Sequence, residues 1–288
     1  MTARLLHYDV LERLGEGARS IIYLVQDPES KQVYALKHVV RADPKDLRFV
    51  QQMETEFEIS RQFTHPALRR SYDLKIVKTM IVKVSEAFMV MEYVDGKPLD
   101  VRPLTDINDI IDTFIQAAHG LKAMHAMGWA HCDIKPNNIL RTQEGGVKII
   151  DFGQSCKIGT VKERIQGTPD FIAPEQVARR PISVQTDVFN LGATMYWTVT
   201  GKHIPTLYTT SKKGENSFLV DTRIDSPADL NPKCPAPLST LILEMVSTRP
   251  QKRPSDMDEV ITRLELVKHV LNKQQNPSAV PSSFGDSD

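Results

Sequence analysis

The sequence predicts an α+β fold of two lobes: a small antiparallel β-sheet lobe with one main helix, then a larger, mostly helical lobe. Short apolar runs broken by turn residues fill Tyr8 to Val40. A single helical pattern follows over Asp43 to Phe63, and after Asp95-Gly96-Lys97-Pro98 the apolar spacing changes from strand-like to helix-like.

Two apolar runs flank Gly15 to Ser20, and Asp27-Pro28-Glu29-Ser30 reads as a turn before Val33 to Val40, which together predict antiparallel strands. Beyond Pro44 the next stretch has neither Gly nor Pro and carries Met53, Phe57, Ile59 and Phe63. His65-Pro66 ends that helix, because a proline excludes its predecessor from helical geometry. Apolar segments around Leu74 to Val84 and Ala87 to Val94 complete the first lobe. In the second, Thr105 is the expected cap of a helix with Ile107, Ile110, Ile111, Phe114, Ala118 and Leu121 on one face. Trp129 to Leu140, and Val147 to Gly153 after the Gly145-Gly146 turn, interrupt the helices. Val188 to Thr200 is apolar nearly all round and stops at Gly201, so a core helix is expected; Ser255-Asp256-Met257-Asp258 resembles a capping box opening the last one. The expected catalytic unit is 8–273, divided into lobes 8–94 and 95–273, with 274–288 a disordered tail.

A 41% hydrophobic content over 288 residues suffices for one large domain or two small ones with a sizeable core. Cys132, Cys156 and Cys234 are odd in number and far apart in sequence, which fits neither a disulfide framework nor a metal knuckle and suits a reducing, cytoplasmic setting. Lys plus Arg and Asp plus Glu both total 36, so no net field draws the chain to nucleic acid or anionic lipid. MTARLLHYDVLERLGEG has no apolar signal core, and no run reaches the about 18 apolar residues of a membrane span. The chain as given is therefore expected to be soluble.

Gly15-Glu16-Gly17-Ala18-Arg19-Ser20-Ile21-Ile22 lies between two expected strands. Glycines there let backbone N–H groups approach phosphates, although Ser20 takes the third glycine position and a plain hairpin turn fits the same letters. Tyr34-Ala35-Leu36-Lys37 then puts a lysine at the end of a strand otherwise built for burial, where an ammonium can neutralise phosphate oxygens; a surface lysine is the ordinary alternative. Glu56, in the following helix, can turn toward Lys37 and fix it as an ion pair, with Glu54 and Glu58 as rivals.

His131-Cys132-Asp133-Ile134-Lys135-Pro136-Asn137-Asn138-Ile139-Leu140 gathers an aspartate, a lysine and an asparagine on a non-helical segment. Asp133 can accept or orient the proton of an attacking hydroxyl, Lys135 can meet charge on a transferring phosphoryl group, and Asn138 can hold a metal. Asp151-Phe152-Gly153 adds a second oxygen ligand at a strand end, where Mg²⁺ with phosphate oxygens is the expected occupant. Each is a polar loop alone; together they suit phosphoryl transfer.

In order and spacing these residues resemble the eukaryotic-type (Hanks-type) protein kinase catalytic domain over roughly Tyr8 to Lys273. The resemblance implies that Gly15 and Gly17 cover the phosphates, that Lys37 and Glu56 pair, that Asp133 is the catalytic base, and that Asn138 with Asp151 binds magnesium. It makes Met91 the bulky residue behind the adenine, the backbone of Glu92 and Val94 the hinge that bonds the base, and Ile22, Ala35 and Leu140 the residues that sandwich it. Periodicity alone reads these last three as core. Ala173-Pro174-Glu175 is similar to the family's activation-segment end, Asp187 to its anchor in the core helix, and Arg253 to the partner of Glu175.

Lys135 and Gly167-Thr168-Pro169 resemble the serine/threonine branch, in which Thr168 would help order Asp133 and Lys135. The implied activity is transfer of the γ-phosphoryl of ATP to serine or threonine hydroxyls of a protein substrate, with ATP and Mg²⁺, or Mn²⁺ in its place, as cofactors. The rival reading is a pseudokinase scaffold that binds nucleotide or partners without phosphotransfer; Ser20, Ser60 and Cys132 favour it. Cys132 replaces an arginine that in many members pairs with an activation-segment phosphate, so activity without that phosphate is expected; Ser155 and Thr160 are the only hydroxyl residues between Gly153 and Gly167. Ser60 takes a position that the family fills with an apolar residue, which suggests a loosely held helix awaiting a regulatory protein partner. Cys156 reads as an inert isolated thiol.

Overall fold

The computed structural model describes residues 3–17, 19–79, 83–205, 208–210, 216–218 and 224–275. Strands β1 (Arg4–Leu5), β2 (Tyr8–Gly17), β3 (Ser20–Gln26) and β4 (Val33–Val40) follow one another as antiparallel neighbours. The turn between β3 and β4 is held by Asp27, whose carboxylate accepts from the N–H groups of Glu29 (2.8 Å) and Ser30 (3.0 Å). After helix α1 (Leu47–Ser60) come β5 (Ser71–Thr79) and β6 (Lys83–Glu92), and β6 rather than β5 pairs with β4, giving the order β1-β2-β3-β4-β6-β5. That order sets Lys37 on a central strand with α1 behind the sheet. The helix begins and ends inside the expected span: Pro44–Asp46 form a 3₁₀ turn capped by Asp43, and the chain leaves the helix after Ser60.

The second lobe contains β7 (Gly96–Pro98), α2 (Ile107–Ala126), β8 (Trp129–Ala130), β9 (Ile139–Thr142), β10 (Val147–Ile149), β11 (Cys156–Lys157), α3 (Pro174–Val177) and α4 (Val184–Thr200). They are followed by β12 (Tyr208–Thr210), β13 (Asn216–Phe218), α5 (Pro227–Leu230), α6 (Ala236–Met245) and α7 (Met257–Gln275). Phe114, Leu121, Val188, Phe189, Leu241 and Leu264 lie in one buried cluster that joins α2, α4, α6 and α7. The strand pairs β10-β9-β7 and β11-β8 sit at the lobe junction and carry the polar segments of the site. A backbone bridge ties the lobes: Arg69 N–H donates to Ile149 O at 3.0 Å and Ile149 N–H to Ala67 O at 2.7 Å.

Three helix starts differ from the sequence expectation. Asp106, not Thr105, caps α2, its carboxylate accepting from Asp109 N–H at 3.0 Å. α4 begins at Val184, four residues before the apolar run, because Ser183 and Thr186 cap one another's turn. Asp256 caps α7 by accepting from Glu259 N–H at 3.0 Å, while Glu259 reaches back to Ser255. Gly201 ends α4 at φ +70, the left-handed C-cap that glycine allows. α7 runs on to Gln275, and residues 276–288 of the expected tail lie outside the described residues. Among the described residues, no helix is long and apolar enough to cross a membrane.

Candidate active site

Under the sheet, Lys37 Nζ lies 2.6 Å from Glu56 Oε2. Of the three helix glutamates, Glu56 is buried, while Glu54 is half-buried and Glu58 exposed. Its other oxygen, Oε1, accepts from Arg69 Nη2 at 3.3 Å, a partner with no local sequence signal. Lys37 and Arg69 thus face Glu56 and Asp151, two cations against two anions. Burial works against the Lys37 ammonium, but Glu56 and Asp151 outweigh it and hold the group above the ordinary lysine range. Burial likewise pushes Asp151 toward protonation, and Lys37, His131, Arg69 and Lys135 reverse this and hold it below the usual carboxylate range.

Ser60 corrects the picture of a loose helix. It is buried, its hydroxyl donates to Glu56 O at 2.6 Å, and its oxygen lies 2.6 Å from Ser71 Oγ on β5. A buried hydroxyl is costly without a partner; here each serine has one, so α1 is tied to the sheet by a hydrogen bond where an apolar contact was expected.

On the loop after β8, Asp133 Oδ1 accepts from the backbone N–H (3.1 Å) and hydroxyl (2.9 Å) of Thr168, and Oδ2 lies 3.1 Å from Lys135 Nζ. Lys135 also donates to Thr168 Oγ1 at 2.9 Å, closing a three-residue cluster between this loop and the activation segment. Asn138 donates its amide to Asp133 O at 2.8 Å, so its side-chain oxygen remains as an acceptor near Asp151. Asp151 sits at φ +64 and Cys132 at φ +66, left-handed conformations that few non-glycine residues adopt.

The turn at Cys132 is anchored from below. Asp187 on α4 accepts at 2.8 Å from His131 N–H and Cys132 N–H, and pairs at 2.8 Å with His125. Burial alone would raise its pKa; the His125 contact, the nearby His131 ring and the Cys132 N–H hold it below the usual carboxylate range. Gln176 donates to Cys132 O at 2.8 Å. Glu175 receives both guanidinium nitrogens of Arg253, at 2.7 and 2.9 Å, in the core.

A cleft of about 600 Å³ opens between the lobes, with Gly15, Gly17, Ile22, Ala35, Lys37, Glu92, Val94, Asn138, Leu140 and Asp151 on its walls. Met91 does not reach it: the side chain is fully buried, paired in register with Ala35. At the hinge, Val94 O is taken by Gly96 N–H at 2.9 Å, and among the described residues the Val94 N–H has no hydrogen-bond acceptor. Glu92 turns its carboxylate away to Lys148, 2.7 Å, so its backbone is what it offers. A small inner recess under the glycine turn is lined by Gly17, Ser20, Lys37, Asp151 and Gly153. A Cβ on Gly17 would come within 2.9 Å of Ser20 Oγ across the β2–β3 turn.

Cys132 and Cys156 meet in space, their sulfurs 3.7 Å apart. Sequence distance concealed this, because the pairing of β8 with β11 closes the gap.

The protein kinase domain model matches residues 8–270, and the chain belongs to that family. It is 27% identical over 270 residues to a probable serine/threonine-protein kinase of Clostridium acetobutylicum, covering 91% of this chain and 40% of that protein. The serine/threonine-protein kinase PknD of Chlamydia pneumoniae is 25% identical over 295 residues, 90% of this chain and 31% of that one. PknB of Mycobacterium tuberculosis is 31% identical over 207 residues, 68% and 32% respectively. The chain thus spans less than half the length of these relatives.

Proposed function

We propose that the unit at 8–273 transfers the γ-phosphoryl group of ATP to serine or threonine hydroxyls of protein substrates, in a cytoplasmic setting. The observation that carries this is the Asp133–Lys135–Thr168 cluster: a carboxylate aimed by two hydrogen bonds, with an ammonium 3.1 Å from its other oxygen. Asp133 accepts or orients the proton of the substrate hydroxyl, and Lys135 faces the charge that spreads over the transferring phosphoryl oxygens. Thr168 holds both in register. Relatives named as serine/threonine-protein kinases support the acceptor class, as does Lys135 itself.

Adenine fits between Ile22, Ala35 and Leu140, with the Val94 amide and the Glu92 backbone at its edge. Gly15 and Gly17 leave room for phosphates, and Lys37, fixed by Glu56, neutralises them. Asn138 Oδ1 and the Asp151 carboxylate form a hard-oxygen pair suited to Mg²⁺ or Mn²⁺, with Asp151 ionised across the physiological range. When bound, that metal supplies charge neutralisation between the phosphates.

Activity without activation-segment phosphorylation is part of this proposal. Ser155 is buried with its hydroxyl directed at His131 O, 3.4 Å, and Cys132 offers no cation for a phosphate. Incubation with labelled ATP, Mg²⁺ and a generic basic protein, beside Asp133→Asn, tests the function. Phosphoserine or phosphothreonine above the variant is the expected result; no label above the variant leaves only a nucleotide-binding scaffold.

A further inference from the structure

Cys132 and Cys156 are 24 residues apart in sequence, yet their sulfurs lie 3.7 Å apart, in van der Waals contact. The backbone holds each in place. Cys132 follows β8 in a left-handed turn, with its N–H on Asp187 at 2.8 Å and its carbonyl on Gln176 at 2.8 Å. Cys156 lies in the β11–β8 ladder opposite Ala130. Ala130 and Ile182 form the apolar wall around the pair.

The two thiols are unequal. Cys132 is buried, with a further weak contact to Ala130 O, whereas Cys156 is partly exposed. The Cys132 thiol donating to it, with Lys162 and Thr160 nearby, outweighs burial and brings the Cys156 thiol down to about 7; the same contact and burial push Cys132 up. At neutral pH the outer sulfur is the nucleophile and the inner one a thiol held behind it.

We propose that Cys132 and Cys156 are a dithiol that hydroperoxides oxidise to a disulfide, joining the loop that carries Asp133 to the activation segment. The Cys156 thiolate attacks a peroxide oxygen; the O–O bond breaks, the leaving oxygen takes a proton, and Cys156 becomes a sulfenic acid. The Cys132 sulfur then attacks Cys156 Sγ; the S–O bond breaks, and hydroxide leaves as water with the Cys132 proton. In sum, two thiols and one hydroperoxide give one disulfide, one alcohol and one water; with hydrogen peroxide both oxygens leave as water. Closure from 3.7 Å to the about 2.05 Å of a disulfide is a small side-chain movement. An external dithiol reverses it.

The bond does not depend on the proposed function, but its consequence rests on it: the segment bearing Thr168 is clamped to the loop bearing Asp133 covalently, at the place where other family members use an arginine and a phosphate. Cys234 stands apart as an internal control, buried with its thiol pushed up to about 11.

The test treats the full chain with a few equivalents of hydrogen peroxide, then maps non-reduced tryptic peptides by mass spectrometry. A peptide linking Cys132 to Cys156, lost on dithiothreitol treatment, is expected, with Cys234 unlinked and the melting temperature raised by about 5 °C. Cys132→Ser must leave Cys156 as an unlinked sulfenic acid that dimedone traps. Asp133→Asn must still form the link, so failure of the disulfide and failure of phosphotransfer are read separately. Wild-type protein that gives Cys156 sulfinic acid, or a link to Cys234, without the Cys132–Cys156 peptide overturns the proposal.

Discussion

Substituting Arg69 by methionine removes one of the two cations on Glu56 while keeping an apolar stem of similar length. At 3.3 Å and an effective dielectric near 20, the Arg69–Glu56 attraction is about 5 kcal/mol before desolvation is counted. Dehydrating the guanidinium offsets part of that, and Glu56 keeps Lys37 at 2.6 Å, so the net loss in Arg69→Met is about 2–3 kcal/mol. In Glu56→Gln the arithmetic changes sign. Lys37 and Arg69 then sit together with no carboxylate between them, and removing Arg69 relieves a buried charge. Arg69→Met should therefore be destabilising in the wild-type background and neutral or stabilising in Glu56→Gln, a coupling of about 2–3 kcal/mol. Urea denaturation of the four proteins followed by far-ultraviolet circular dichroism measures it. An equal loss in both backgrounds would refute the electrostatic account and assign Arg69 to packing by its stem alone.

Arg253→Met leaves Glu175 in the core with Thr186 as its remaining side-chain partner at 3.0 Å, and should lower stability by about 3–5 kcal/mol in the same assay. In the proposed ATP complex the Lys37 ammonium faces phosphates in both bound state and transition state, so Lys37→Met should raise the KM for ATP and lower kcat together; an unchanged KM would place the nucleotide elsewhere. Asp187 has its folded pKa depressed, so its contribution is complete above the unfolded carboxylate value of about 4 and is lost as pH falls through the folded one. The stability gap between wild type and Asp187→Asn should then narrow on acidification, and a gap constant with pH would show that the carboxylate's charge is not what holds the loop.

Much of the fold was legible because its signals are local. The alternation and turns of Tyr8 to Val40, the breaker at His65-Pro66 and the apolar face of α2 each lie within one element. Helix starts were less so: Thr105 and Asp106 are both good caps, and only the hydrogen bond to Asp109 N–H decides between them. The site splits the same way. Lys37, Asp133, Asn138 and Asp151 stand on short motifs, and Glu56 is set apart from Glu54 and Glu58 only by the direction of the α1 face, which tertiary packing sets. Arg69 was missed because its partner lies 13 residues away on another element. Ser60 read as a defect in an apolar position, since nothing in the sequence shows that Ser71 would lie opposite. Cys132 and Cys156 read as unrelated for the same reason: strand pairing, not spacing, makes them neighbours.

Thr168 bonds both Asp133 and Lys135 through the chain's own contacts, which is the basis for the proposed activity without activation-segment phosphorylation. The most direct measurement is the initial rate of protein prepared with a phosphatase and verified by intact mass to carry no phosphate, given ATP and Mg²⁺ with a basic protein substrate. The expected progress curve is linear from the first time point, and unchanged in Thr160→Ala. A lag that ends only as phosphate accumulates on Ser155 or Thr160 would contradict it.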